Sequence, residues 1–310
     1  MAQTKISIIG AGNVGSTTAQ RLFEKAYADI ILVDVVEGMP QGKALDIFES
    51  GPLYHSDVSI TGSNSYETTR NSDIVIITAG IARKPGMSRD DLLLTNANIV
   101  STVVKNVITE SPNCILLVVS NPLDAMVHAA LSASGFPRER TFGMAGVLDT
   151  ARFRTFIAEE LSVSVSDVHA FVLGGHGDTM VPLTDYSNVA GISLNKIIPK
   201  SKLDKIVQRT RDGGAEIVKL LKTGSAYYAP SASIVEMIDS IVLDKNRILP
   251  SCVLLKGEYG ITDLCLGVPT KIGHEGIKEI IELELSEQEL KELHSSSESV
   301  KELLQIMNAA

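Results

Sequence analysis

The sequence is poor in several features, and each scarcity excludes a class of protein. It has three cysteines in 310 residues, Cys114, Cys252 and Cys265. Their odd number and the lack of a C-x-x-C pair set aside a disulfide-built domain. Each lies in an apolar run, so buried reduced thiols in a cytoplasmic protein are expected. Lysine and arginine total 28 against 37 aspartates and glutamates, a net charge of -9. No basic tail or stripe is available to neutralise phosphates, so a nucleic-acid partner is not expected. Uninterrupted apolar runs such as Cys114 to Val119 fall far short of the roughly 20 residues that span a bilayer. The opening MAQTKISIIGAG leads straight into a strand pattern without a signal-peptide core or cleavage site, and Asn-x-Ser/Thr acceptors are missing. Neither a membrane nor export is expected.

What is present is the composition of a globular enzyme, 44% hydrophobic and 21% charged, long enough for two domains with a large core. In the first half, apolar or β-branched runs at Lys5–Ile9, Ile30–Val33, Val58–Thr61, Ile74–Thr78 and Ile115–Val119 alternate with helical stretches such as Val14–Lys25 and Asp91–Thr109. Strands apolar on both faces belong to parallel sheets covered by helices. The pattern predicts an α/β fold with a doubly wound parallel sheet over residues 1–144. From residue 145 the pattern turns to α+β. A helix at Leu148–Leu161 precedes a strand run at Val168–Leu173, and helices follow at Lys202–Leu221 and Ser231–Leu243. Short strands are predicted at Leu249–Leu255, Leu264–Val268 and Thr270–Ile272. A last helix opens on SEQE (286–289), a capping box, and the serines at 295–297 are expected to kink or fray it. Residues 145–310 thus form a second, substrate-handling domain.

The first strand runs into GAGNVG, that is Gly10, Ala11, Gly12, Asn13, Val14 and Gly15, and a helix pattern starts at once. The first glycine permits a tight turn, the second lets backbone approach a pyrophosphate, and the third lets helix pack on strand. The phosphates then meet the N–H groups of a helix N-terminus. Asp34 closes the next strand and can accept hydrogen bonds from ribose hydroxyls while repelling a 2′-phosphate, which favours NAD over NADP. The segment GMPQGKA (38–44) is one residue short of a P-loop and lacks its Ser/Thr.

Reacting groups are sought at the carboxyl ends of the strands, where open α/β sheets bind ligands. The loop GIARKPGMSR (80–89) brings Arg83, Lys84 and Arg89 there. As solvated loop charges they would need no function; their position favours an anionic ligand. Asp149 shares a helix stripe with Phe153, Phe156 and Ile157, and a carboxylate on an apolar stripe must be paired. Arg152 could be its partner, or Asp149 could orient a histidine and leave Arg152 for a ligand. Of six histidines, only His176 lies between glycines at a strand end, in LGGHGD (173–178). Asp178 is near in sequence, but Asp149 is preferred as the orienting acid. No two histidines have the local spacing of a zinc site, so no metal is expected. Asn121, before Pro122, offers an amide at the same sheet edge.

Together GAGNVG, LVDVVEGMPQGKALD, ITAGIARKPGMSRDDLL, VVSNPLD, GMAGVLDTARF, GGHGDTMVP and GGAEIV resemble the lactate/malate dehydrogenase superfamily over essentially the whole chain, and closely resemble its bacterial malate enzymes of lactate-dehydrogenase type. The resemblance implies a Rossmann domain followed by a mixed α/β substrate domain. It implies reversible hydride transfer between (S)-malate and NAD, giving oxaloacetate and NADH. It makes His176 the proton carrier, Asp149 its orienting acid, Arg152 the holder of the substrate C1 carboxylate and Arg89 the group that polarises the carbonyl. Asn121 would contact substrate and cofactor, with Asn96, Val119 and Ser120 beside the nicotinamide nucleotide. Arg83 stands at the specificity position, where lactate enzymes typically carry Gln. A lactate or other 2-hydroxyacid dehydrogenase is the nearest rival, and a non-catalytic NAD sensor a more distant one. Relatives of this type imply a homotetramer, with a homodimer as the alternative.

Overall fold

The computed structural model describes residues 3–82 and 86–309. The first half contributes β1 (Thr4–Ile9), α1 (Asn13–Lys25), β2 (Ala28–Val33), α2 (Met39–Glu49), α3 (Gly51–Tyr54), β3 (Ile60–Ser63), β4 (Ile74–Ile77), α4 (Arg89–Glu110), β5 (Ile115–Val118), α5 (Leu123–Ser134) and β6 (Thr141–Gly143). These six strands are parallel neighbours in the order β3-β2-β1-β4-β5-β6. The order reverses direction between β1 and β4, so a crevice opens at their carboxyl ends. Strands β4 and β5 are buried at every position, as a sheet covered on both faces requires. Helix α1 buries Gly15, Thr18, Ala19, Leu22 and Phe23, one stripe at helical spacing.

The second half runs through α6 (Gly146–Leu161), β7 (Val168–His169), β8 (Val172–Leu173), β9 (Val181–Pro182), β10 (Asn188–Val189), β11 (Ile192–Ser193), α7 (Leu194–Ile197), α8 (Lys200–Leu221), α9 (Tyr228–Val242), β12 (Arg247–Lys256), β13 (Thr262–Gly273), β14 (Gly276–Ile280) and α10 (Glu287–Ala309). Strand β12 joins the main sheet at Cys252 opposite Gly143, and β13 and β14 follow antiparallel, making nine strands in one sheet. The large apolar core is accordingly continuous from Ile6 to Leu304. A smaller core, with Phe153, Ile157, Val168, Met180 and Leu203, fills the space around α6 and α8.

Three sequence expectations are corrected. The single run predicted at Val168–Leu173 is two short strands, β7 pairing with β10 and β8 with β9 in separate small sheets. The short strands predicted across 264–272 are one strand, β13. Pro269 lies opposite Pro250 there and stays in the ladder through its carbonyl, which accepts the Ile281 N–H at 2.9 Å. The serines at 295–297 do not break α10. Ser296 and Ser297 are buried within it, and its Ser286 capping box forms, Ser286 N–H to Glu289 Oε2 at 3.0 Å and Glu289 N–H to Ser286 Oγ at 3.3 Å. Among the described residues, α4 is the one helix long and apolar enough to cross a membrane by length and composition. Its apolar stripe, including Leu93, Val100 and Val104, is buried in the fold, where the helix packs on α5 and α10.

Candidate active site

The cofactor cleft begins where β1 ends. Gly10 has φ +111°, and a Cβ there would lie 2.6 Å from Thr78 Oγ1. A Cβ on Gly15 would come 1.8 Å from the Gly10 carbonyl oxygen, so only glycine lets α1 sit on this turn. Gly12 differs: its Cβ direction meets nothing within 4 Å. Helix α1 starts beside it with no side-chain cap and no acidic residue in the first turn. Its first N–H groups are left for an anion, and Gly12 opens the space a pyrophosphate fills. A cleft of about 310 Å³ runs from there past Asp34, Tyr66 and Ile99, apolar on its walls and acidic at one end, as an adenosine group requires. Asp34 closes the loop, its Oδ2 accepting the Ala11 N–H at 2.6 Å and its Oδ1 the Val36 N–H at 2.9 Å. The residues fit a dinucleotide.

Asn96 is buried on α4 and spends its amide on backbone: Oδ1 accepts the Ile81 N–H at 2.9 Å, and Nδ2 donates to the Ile81 carbonyl at 3.2 Å and the Asn121 carbonyl at 2.8 Å. It ties the loop after β4 to the turn after β5. Ser120 Oγ donates to the Ala79 carbonyl and Val119 N–H to Ile77, so both are held at the same edge. Asn121 is exposed and precedes a cis peptide to Pro122.

Across the crevice, α6 carries Asp149, 2% exposed. Asp149 meets both the arginine and the histidine that the sequence offered as its partners. Asp149 Oδ2 meets His176 Nδ1 at 2.8 Å, and Oδ1 meets Arg152 Nη1 at 3.1 Å. Asp178 is exposed and is not the ring's partner. Arg152 Nε is buried without a partner, an unused donor on a fork that suits a carboxylate. Helix α8 is bare beside it, since a Cβ on Gly213 would come within 3.1 Å of Arg152 Cδ. Burial alone would strip His176 of its proton. The charge and hydrogen bond of Asp149, with the charge of Asp124, outweigh it and hold the imidazolium above the ordinary histidine range, against an opposing push from Arg152.

The loop that presents His176 is pinned by residues the sequence reading passed over. Gly174, at φ +85°, exchanges two backbone hydrogen bonds with Gly267 of β13, at 2.9 and 3.1 Å. The Gly175 N–H donates to Ser296 Oγ at 2.8 Å, and the His176 N–H to Asp124 Oδ2 at 2.9 Å. Asp124 stands in an apolar helix run and could have been found by the reasoning that singled out Asp149; no local signal marks Ser296. Arg89, the first residue of α4, is exposed and outside the His176 hydrogen-bond network. Arg83, with Lys84, lies outside the described residues.

A histidine held by a carboxylate with an arginine fork beside it, in a chain that also carries a cleft fitting a dinucleotide, fits a dehydrogenase that moves a hydride and a proton together. The comparisons narrow the class. Residues 4–143 match the NAD binding domain of lactate/malate dehydrogenases and residues 146–310 their alpha/beta C-terminal domain. The chain is 57% identical over 303 residues to a malate dehydrogenase of Thermomicrobium roseum, covering 98% of each. It superposes on the malate dehydrogenase of Salinibacter ruber with a TM-score of 0.95 at 48% identity, covering 99% of this chain and 98% of the other. It also superposes on the Cryptosporidium parvum lactate dehydrogenase complexed with lactic acid and nicotinamide adenine dinucleotide, with a TM-score of 0.97 at 40% identity, covering 100% and 99%. The chain belongs to the lactate/malate dehydrogenase family, an oxidoreductase whose cofactor is NAD.

Proposed function

We propose that this protein is an NAD-dependent malate dehydrogenase, interconverting (S)-malate and oxaloacetate in the cytoplasm as a step of the tricarboxylic acid cycle. The observation that carries the reading is the His176–Asp149–Arg152 constellation at 2.8 and 3.1 Å. NAD supplies hydride acceptance and return at its nicotinamide C4. The chain supplies orientation and charge. Arg152 holds the C1 carboxylate through its guanidinium fork, whose Nε has no hydrogen-bond partner. Neutral His176 takes the hydroxyl proton of malate through Nε2, and Asp149 on Nδ1 stabilises the imidazolium that forms. In reverse the imidazolium returns the proton to the carbonyl oxygen of oxaloacetate. Arg89, brought in by closure of the loop after β4, stabilises the charge developing on that oxygen, and Asn121 orients it. Arg83 on the same loop takes the distal carboxylate that lactate lacks, and sequence identity to malate dehydrogenases supports this choice of substrate. A homotetramer, with a dimer as the alternative, is proposed for the assembly.

The test is the loss of absorbance at 340 nm with NADH and either oxaloacetate or pyruvate. Turnover with oxaloacetate that greatly exceeds pyruvate is expected. Preference for pyruvate would make the protein a lactate dehydrogenase, and NADH binding with no turnover of either would make it a sensor.

A further inference from the structure

Asp124 is a buried carboxyl that the reaction above does not use. It lies at the start of α5, 4% exposed, and meets the main chain of His176 where Asp149 meets its ring. Its Oδ2 accepts the His176 N–H at 2.9 Å, and its Oδ1 is buried without a hydrogen-bond partner. Behind it, on β12 and β13, are the thiols of Cys252 and Cys265, both buried. A thiol is a weak donor. A buried carboxylate so poorly solvated needs a counter-charge.

The charges around the histidine supply the reason for it. His176 faces Asp149 and Arg152 from α6 and Asp124 from α5. Asp178, on its own loop, points to solvent. Asp149 is shared, one oxygen to the ring and one to the Arg152 guanidinium. When His176 is protonated, two cations therefore share one carboxylate. Asp124 makes the count even.

We propose that Asp124 is a positioning residue for His176: its carboxylate anchors the loop through the main-chain N–H and serves as the second counter-charge of the imidazolium. The proposal rests on His176 being the proton carrier. Burial holds the Asp124 carboxyl above the ordinary carboxylate range, against the pull of the His176 N–H, the Cys252 thiol, the charge of His176 and its own backbone N–H. The two groups therefore titrate as a pair, and loss of the Asp124 charge makes the ring give up its proton at lower pH.

Asp124→Asn keeps an oxygen to accept the His176 N–H and removes the charge. The midpoint of the ring is expected to fall by roughly one pH unit, which is a tenfold loss of imidazolium above the midpoint. The ring is followed by NMR in 15N-histidine-labelled protein without substrate, with free histidine as reference and Asp124→Ser as a second neutral variant. The pH profiles of kcat are measured in both directions. The alkaline fall of oxaloacetate reduction should move to lower pH, and malate oxidation on the acid side should rise relative to wild type. A purely structural role would lower both directions together and leave the midpoints in place, and that result overturns the proposal. A wild-type His176 midpoint no higher than that of free histidine overturns it as well, even where neither variant folds. If the midpoint shifts in a protein that turns over no oxaloacetate, the reading of the substrate fails and the role of Asp124 stands.

Discussion

In the proposed reaction His176 is the residue on which both directions depend, with opposite protonation requirements. Reduction of oxaloacetate needs the imidazolium. Its rate should fall as pH rises through a midpoint that Asp149 and Asp124 hold above the ordinary range despite burial. Oxidation of malate needs the neutral ring and should rise over the same window. His176→Asn is expected to lose most turnover while NADH fluorescence still reports binding; near-normal turnover would remove the residue from the chemistry. Arg83 carries the second expectation at this scale. Holding the distal carboxylate in a closed site is worth roughly 2–5 kcal/mol, judged from truncated buried charge pairs. In the proposed role of Arg83, pyruvate would bring no second carboxylate to meet the guanidinium. Arg83→Gln should lower kcat/KM for oxaloacetate steeply and improve pyruvate in relative terms. Lys84→Gln, measured beside it, should not; the opposite pattern would pass the role to Lys84. Individual residues were legible where chemistry and local pattern coincide, as in a histidine between glycines or an acid on an apolar stripe. Ser296 was not, because its function depends on a contact 121 positions away.

At the scale of elements, the first turn of α1 separates two kinds of glycine. Gly15→Ala would drive a methyl into the Gly10 carbonyl, which a Cβ approaches to 1.8 Å. A loss of roughly 3 kcal/mol or more is expected, because backbone cannot yield as a side chain can. Gly12→Ala meets nothing in the protein, and Gly12 has φ -66°, which any residue adopts. Its melting temperature should stay within about 2 °C of wild type, while the Kd for NADH rises roughly tenfold, or 1.4 kcal/mol. Calorimetry and fluorescence titration of both variants check this; equal destabilisation would deny that Gly12 faces the cofactor. The parallel strands could be read from sequence because burial on both faces leaves an unbroken apolar run. Strand β13 could not, since Pro269 reads as a terminator until its carbonyl is seen to keep the ladder. The division of Val168–Leu173 was equally hidden: nothing local tells β7 and β8 that their partners lie in different sheets.

For the whole molecule, the decisive feature is one sheet and one large core joining both halves. The three cysteines report on it. All are free and buried. Burial pushes the Cys114 thiol up to about 12, against the pull of Arg140. Burial, with the charge of Asp124, raises Cys252 and Cys265 as well. Thiolates are the reactive form, so a disulfide-exchange reagent should label none in native protein at pH 8 and all three in guanidinium. Rapid native labelling of Cys252 would mean that the junction of β6 and β12 opens. The hold of α10 on the catalytic loop, through Ser296 and Gly175, also sets an order of events during synthesis. The Gly-rich turn, Asp34 and the parallel strands leave the ribosome early, and His176 follows while its anchor is still untranslated. In the order of synthesis, the residues that line the cofactor cleft are therefore all made before Ser296, the residue that pins the His176 loop through Gly175.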